Sequence, residues 1–158
     1  MSYDLTFLAK SAGQSWEDAI EALGAWEEAG ESGPQERPDA QAWERILTGA
    51  REMLGQVEVY AADAWYEFTH EPTAIQVSLE ADTATITVPY WYSGARAESV
   101  VRLMYRLGEI IESATGLAGY DPQVGMPVGE AGSQIAPAVA MFDSTAAMVA
   151  QRGIRTGG

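Results

Sequence analysis

A clean alternation of apolar and polar side chains over residues 74–92 (AIQVSLEADTATITVPYWY) constrains the fold more than any other feature of the chain. A period of two is typical of β-strands that bury one face. If the segment folds back about residues 80–83, three apolar pairs lie on the same side: Ile75 with Val88, Val77 with Ile86, and Leu79 with Ala84. The sequence therefore predicts a β-hairpin with a polar face and an apolar face, and the apolar face needs a cover of helices.

Apolar residues that recur three or four positions apart predict three helices. Capping residues and glycines give their bounds: Ser15 to near Gly30, Asp39 to Gly55, and Ser93 or Gly94 to Gly116. The first helix is expected to bury a stripe formed by Trp16, Ile20 and Leu23, with Trp26 as a further member. A turn-rich connector, Gly30 to Pro38, separates the first two helices.

Three shorter segments predict further strands. Tyr3–Leu8 alternates with a period of two, residues 65–69 lead into the hairpin, and Leu117–Gln123 is a final strand that Pro122 ends or confines to a sheet edge. The order is strand, helices, two hairpin strands, helix, strand. It predicts an α+β fold in which an antiparallel sheet carries its helices on one face. The order is ferredoxin-like, a split βαβ unit with an extra helix and a C-terminal extension.

The length of 158 residues, 17.0 kDa, fits one domain. Residues 1–123 account for the predicted unit. Residues 124–158 begin with a Gly/Pro linker, and a possible helix then starts at Pro137 and ends before Gly153. We expect this segment either to dock on the domain as a helix or to act as an arm.

Carboxylates outnumber basic residues, and they are clustered. The formal net charge is −14, residues 11–36 hold no Lys or Arg, and residues 52–95 likewise hold none before Arg96. Nucleic acid and anionic membranes are disfavoured as partners, since both need a basic footprint. A basic protein partner is favoured, although the charge also fits a simple role in solubility. The absence of cysteine and of a long apolar run predicts a cytoplasmic protein.

The sequence holds no catalytic or metal-binding signature. His70 is the only histidine and cysteine is absent, so a His/Cys metal site or a triad is not expected. The glycines of residues 125–132 lack the Lys-Ser/Thr that follows a phosphate loop. Carboxylates spaced i, i+4 are expected by chance in so acidic a chain. We therefore predict a protein that is not an enzyme and has no cofactor.

Aromatic residues cluster at two places, Trp65–Phe68 and Tyr90–Tyr92, and the first cluster lies among carboxylates. Three consecutive aromatics cannot all face one core from a strand, so some aromatic surface is expected. The predicted partner-binding residues are Asp63, Trp65, Glu67, Glu71, Tyr90 and Tyr92. The alternative interpretation is that these aromatics belong to the core or cover a sheet edge.

The opening MSYDL and the closing TGLAGYDPQ, with a helix after an ITVPYW strand, carry a resemblance over residues 1–123. The chain resembles small acidic actinobacterial proteins of uncharacterised function that begin with a Tyr-Asp-Leu strand and end in Gly-Leu-x-x-Tyr-Asp-Pro-Gln. Some similar proteins resemble immunity proteins of toxin systems. The resemblance implies a shared fold and a protein partner, and it carries over no catalytic residue.

Three functions stay open at this point. The first is a protein-interaction module of the immunity or inhibitor type that binds a basic partner. The second is a small-ligand-binding domain with an aromatic-lined pocket between sheet and helices. The third is a homo-oligomeric structural component of a phage-like or secretion assembly, which exchanges residues 133–153 as an arm.

Overall fold

The structure, a computed structural model, describes residues 2–11, 13–28 and 37–156. These residues form an α+β fold with a seven-stranded antiparallel sheet and five helices. The strands are β1 (Ser2–Leu8), β2 (Glu58–Ala61), β3 (Tyr66–His70), β4 (Ile75–Leu79), β5 (Thr83–Pro89), β6 (Ala118–Asp121) and β7 (Met126–Pro127). The helices are α1 (Trp16–Glu28), α2 (Ala40–Leu54), α3 (Gly94–Thr115), α4 (Val128–Ala131) and α5 (Ala136–Thr156). The strand order across the sheet is β2-β3-β4-β5-β1-β6-β7.

The predicted hairpin is β4 and β5, and its register is confirmed. Val77 pairs with Ile86 and Leu79 with Ala84. All four side chains are buried, because both strands turn them to the same side of the sheet. We call this side the core face. The opposite, outer face carries polar residues such as Thr85, which are half-buried.

The bounds of α2 and α3 also match the prediction. The Asp39 carboxylate accepts hydrogen bonds from the backbone N–H groups of Gln41 at 2.8 Å and Ala42 at 3.3 Å, which caps α2. Gly116 ends α3 in the left-handed region at φ 74°. Trp43 of α2 packs against the Phe68 ring on the core face, with centroids 6.0 Å apart. The two helices thus cover the apolar face of the hairpin, as the sequence predicts.

The sheet contains two strands, β2 and β7, beyond the five that the sequence predicts. The predicted strand at 65–69 is β3, shifted by one residue, and it pairs with β2 on one side and with β4 on the other. At the other end of the sheet, β7 pairs with β6, so β6 is an inner strand. Pro122 ends β6 without placing it at an edge. The α+β class and the antiparallel sheet are therefore established.

Helix α1 departs from the prediction that the helices share one face. Its Trp16 stacks on Tyr120 of β6, with ring centroids 4.8 Å apart. Tyr120 pairs with Thr6, so its side chain lies on the outer face. Ala19 is buried, and Ile20, about 100° further around the helix, is 39% exposed instead of buried. The side chains of Leu23 and Trp26, and the predicted connector from residue 30 to 36, lie outside the described residues.

Residues 124–150 include side chains that pack on the unit formed by residues 1–123. Val128 of α4 is buried against Gly119, where an added Cβ atom would lie 2.8 Å from the valine side chain. Phe142 of α5 is fully buried and stacks on Tyr3 of β1, with centroids 5.1 Å apart. Among the described residues, no helix is both long and apolar enough to cross a bilayer.

Candidate protein-binding surface

The hairpin formed by β2 and β3, residues 58–70, lies at one edge of the sheet, and we call it the edge hairpin. A hydrogen bond of 2.9 Å from the Ala62 N–H to the Trp65 carbonyl closes its two-residue turn. Tyr60 pairs with Glu67, so both side chains lie on the outer face of the sheet. By the same alternation, Glu58 also lies on this face.

Large apolar side chains on the edge hairpin are exposed. Tyr60 is 56% exposed and Trp65 is 40% exposed, and their ring centroids lie 5.8 Å apart. Val59 is 43% exposed on the opposite side of the same strand. Exposed aromatic side chains that pack against one another are typical of surfaces that recognise other proteins.

Carboxylates surround the exposed aromatic pair. Glu58 is exposed beside Tyr60, and Glu67 accepts a hydrogen bond from the Gln76 side chain. The Asp63 side chain at the hairpin turn is 98% exposed, with the Arg37 guanidinium 3.6 Å away. An ion pair this exposed contributes little to stability, so Asp63 is free to exchange Arg37 for another cation.

Three of the six predicted binding residues therefore lie together on the edge hairpin, namely Asp63, Trp65 and Glu67. Glu71 is exposed, but it lies in the turn after β3, at the opposite end of the strand from Asp63. The five residues of β3 alone span roughly 14 Å, which is four steps along a strand. The structure thus separates Glu71 from the aromatic pair.

The aromatic residues after β5 differ in exposure from the prediction: the two tyrosines are buried or half-buried, and the tryptophan between them is exposed. Tyr92 is 5% exposed, and its hydroxyl donates to the Thr73 carbonyl. Tyr90 is half-buried, and its ring centroid lies 5.2 Å from that of Phe142. Trp91, between them, is 75% exposed. Tyr92 therefore belongs to the core, and Trp91 is the exposed member that the sequence argument did not select.

Tyr60 and Val59 are exposed residues of the edge hairpin that the sequence did not predict. The strand β2 has only four residues, and all four are exposed. A burial pattern is therefore absent, and four residues are too few for a periodicity to be recognised. The one available signal was the alternation in VEVYA at residues 57–61, which separates Val57, Val59 and Ala61 from Glu58 and Tyr60.

A second group of titratable residues, the Tyr–Asp–Tyr cluster, is buried between β1, β6 and α3. The hydroxyls of Tyr3 and Tyr105 each donate to the Asp121 carboxylate at 2.5 Å. The backbone N–H of Gln123 donates to the other carboxylate oxygen at 3.0 Å. Asp121 is fully buried, so these partners replace the water that the carboxylate would otherwise bind.

Burial dominates the titration of this cluster. It raises the pKa of Asp121, and the hydrogen bonds from Tyr105 and Tyr3 oppose that rise. Burial also raises the pKa of Tyr3 and of Tyr105, and the hydrogen bond to Asp121 raises both further. Both phenols are thus held as neutral donors. The cluster is closed to solvent, so it has the character of a polar core group and not of a site that meets substrate.

An open cleft of about 390 Å³ lies between α2 and α3. Its lining includes Arg45, Arg106 and Glu109, and none of its lining residues is aromatic. Within the described part of the chain, His, Asp and Glu side chains form no group that could hold a metal ion. Comparison of the chain with protein-family models, curated proteins and solved structures finds no match.

Proposed function

We propose that this protein is a non-enzymatic interaction module that binds a basic protein partner through the edge hairpin. In its sharpest form, the proposal is an immunity- or inhibitor-type protein, the class that the sequence resemblance implies. The observation that carries it is the exposed Tyr60–Trp65 pair bordered by Glu58, Glu67 and Asp63.

The two kinds of side chain have different roles in the proposal. Exposed Tyr and Trp are the residue types most often found as binding anchors, because each buries a large area at a small cost in conformational entropy. The carboxylates steer a cationic surface toward the hairpin and favour one orientation once it arrives. An inhibitor of this type acts by occupancy, since its carboxylates take the place of the anionic groups that a basic cleft normally binds.

The other predicted binding residues have secondary places in the proposal. Glu71 extends the negative field toward the far end of β3 without touching the anchor pair. Tyr90 and Tyr92 pack in the core, and the Tyr92 hydroxyl bonds to the turn that contains Glu71. Substitution of either tyrosine would therefore act on stability first.

The packing between sheet and helices favours this function over a ligand pocket. The rings of Tyr3, Tyr90 and Phe142 pack against one another with centroids 5.1 to 5.8 Å apart, which fills the space that an aromatic pocket would need. The intramolecular packing of Phe142 also gives the exchange-arm hypothesis no support. The cytoplasmic location remains a proposal, as does a ferredoxin-like unit formed by β4, β5, β1 and β6.

The test is affinity capture from the native cytosol at low and then moderate salt, with matched pairs of variants. Glu58→Lys reverses a charge on the edge hairpin, and Glu130→Lys makes the same change on α4, at the other edge of the sheet. Trp65→Ala removes the anchor, and Trp91→Ala removes an exposed Trp beyond the end of β5. Each variant is first compared with the wild type by circular dichroism and thermal unfolding.

We expect Trp65→Ala to weaken partner binding about 30-fold and Glu58→Lys at least about tenfold. Glu130→Lys and Trp91→Ala should bind as the wild type does. An equal loss of partner affinity in both members of a pair would mean that binding depends only on total charge or on non-specific hydrophobic association. Binding that ignores salt and all four substitutions would reject the proposed function.

A further inference from the structure

The outer edge of β2 presents backbone groups that no described strand uses. In an antiparallel pair, residues alternate between those that bond to the neighbouring strand and those that bond away from it. The Ala62 N–H bonds to the Trp65 carbonyl. By the alternation, the backbone N–H and C=O groups of Tyr60 and Glu58 also point toward β3. The N–H and C=O groups of Val59 and Ala61 therefore point away from the sheet.

Among the residues that the structure describes, nothing pairs with this edge, whereas the opposite edge is protected. All four residues of β2 are exposed, and none of them is proline. The strand at the other edge, β7, has only two residues, one of which is Pro127, and α4 follows it directly. Proline offers no N–H group, so β7 is protected against pairing in the way that native edges commonly are. β2 lacks such protection apart from its short length and Glu58.

We propose that the partner adds an extended basic segment to β2 as an eighth strand, bonded to the backbone of Val59 and Ala61. This inference rests on the proposed function and specifies how the edge hairpin binds. Strand addition supplies affinity through main-chain hydrogen bonds and specificity through alternate side chains. The exposed edge and Tyr60 lie on the same four-residue strand, and Trp65 packs against Tyr60, so one incoming segment reaches the edge and the aromatic pair.

The charges around β2 identify the occupant as basic. Glu58 and Glu67 lie on the outer face beside the edge, and residues 52–95 contain no Lys or Arg. A second copy of the chain would bring the same carboxylates and a further net charge of −14 to the interface. Like charges placed opposite one another destabilise strand pairs, so self-pairing is disfavoured and a cationic strand is favoured.

The register also predicts a pattern in the partner. Directly opposed residues in a strand pair place their side chains on the same face. Partner residues opposite Val59 and Ala61 therefore lie on the core side of the edge and should be apolar. Their neighbours lie on the outer side, beside Glu58 and Tyr60, and should be Arg or Lys. In antiparallel addition, the orientation that we propose, the backbone N–H groups that bond to β2 belong to the apolar positions.

The probe for this inference is a capped heptapeptide, Arg-Val-Arg-Val-Arg-Val-Arg, compared with two N-methylated forms. Methylation of the three Val amides removes the donors that face β2, whereas methylation of the two inner Arg amides removes two donors on the solvent side. Charge and side chains are the same in all three peptides. Binding is measured by fluorescence anisotropy at low salt, and amide exchange of Val59 and Ala61 is followed by NMR.

We expect Val methylation to weaken binding at least about tenfold and Arg methylation to change it less than about threefold. Bound peptide should slow amide exchange at Val59 and Ala61 at least about tenfold. Equal affinities for the two methylated peptides, unchanged exchange at Val59 and Ala61, or no binding of the parent peptide up to 1 mM would each overturn strand addition.

A variant separates this inference from the proposed function. Ala61→Pro removes an outward-facing N–H and no bond to β3, so the fold should persist, and every charge and aromatic ring remains. In the capture experiment, Ala61→Pro should lose the partner while Glu130→Lys retains it. If Ala61→Pro binds the partner normally and Glu58→Lys and Trp65→Ala do not, the result supports the edge hairpin as the binding surface and rejects strand addition. If none of the three matters, both proposals fail.

Discussion

At the scale of single residues, the Tyr–Asp–Tyr cluster shows how a buried charge is accommodated in a very acidic protein. The two phenols come from β1 and α3, and the carboxylate comes from the end of β6. Removal of either phenol would leave Asp121 with one hydrogen bond fewer in a site that water does not reach. A buried carboxylate that loses a partner typically costs more than the bond itself contributes.

The cluster gives the protein a predictable response to alkaline pH. Tyr3 and Tyr105 have pKa values raised above the ordinary 10.0 in the folded state, mainly by burial. Above pH 10 the unfolded chain loses these protons first, so the stability that they contribute below pH 10 is lost as pH rises. Urea unfolding should show the free energy of unfolding falling by up to about 1.4 kcal/mol per pH unit for each tyrosine.

The variant Tyr3→Phe should have a shallower slope above pH 10 than the wild type, even though it is less stable at pH 7. The same change at Tyr60, which is exposed, is the control for the loss of a hydroxyl. A slope that Tyr3→Phe leaves unchanged would contradict this account of the cluster.

Only part of the cluster is predictable from the sequence. Alternation placed Tyr3 on the apolar side of its strand, and the structure buries it there. The bond to Asp121 spans 118 positions of sequence, and local patterns do not report such distant pairs. The same limit explains Tyr92, whose burial depends on the turn near Thr73 and on Phe142 of α5.

At the scale of elements, helix α3 begins with a cap that comes from another helix. Ser93 occupies the capping position but makes no side-chain capping bond. The Asp143 carboxylate of α5 instead accepts a hydrogen bond of 2.7 Å from the Gly94 N–H. A carboxylate at this end also interacts favourably with the helix dipole. The contact therefore ties the start of α3 to the C-terminal helix.

We predict that Asp143→Ala lowers the free energy of unfolding by about 1 kcal/mol, a typical value for the loss of a cap. Ser93→Ala, made at the formal capping position, should change it by less than about 0.5 kcal/mol. Chemical denaturation measures both variants, and amide exchange at Gly94 should speed up only in Asp143→Ala. The reverse ranking of the two variants would show that Ser93 caps the helix in solution.

The elements that the sequence predicted well are those whose signals are local and long. The hairpin at 74–92 and the helices α2 and α3 have alternation or periodicity over many residues, together with capping residues. Strands β2 and β7 are short and lie at the two edges, so neither has the two-sided pattern of an inner strand. Their places follow from pairing with β3 and β6, which is a tertiary property.

At the scale of the whole molecule, the net charge of −14 acts on stability and on binding in opposite directions. Among the described residues, only Arg37–Asp63 and Arg102–Glu98 form ion pairs, and all four side chains are largely exposed. Most carboxylates therefore repel one another in the folded state. The same field attracts the basic partner that we propose.

Raising NaCl from 10 mM to 300 mM shortens the screening length from about 30 Å to less than about 8 Å. Self-repulsion should weaken, and the melting temperature should rise by about 3 °C for each kcal/mol gained. Over the same range, partner affinity should fall, because screening removes the attraction as well. Thermal unfolding and binding isotherms on one preparation measure both trends.

Glu130→Lys, which reduces the magnitude of the net charge by two, should show a smaller salt-induced rise in melting temperature and the same loss of partner affinity as the wild type. A melting temperature that falls with salt would mean that repulsion among the carboxylates does not limit stability, and the negative field would then have no measurable cost for the fold.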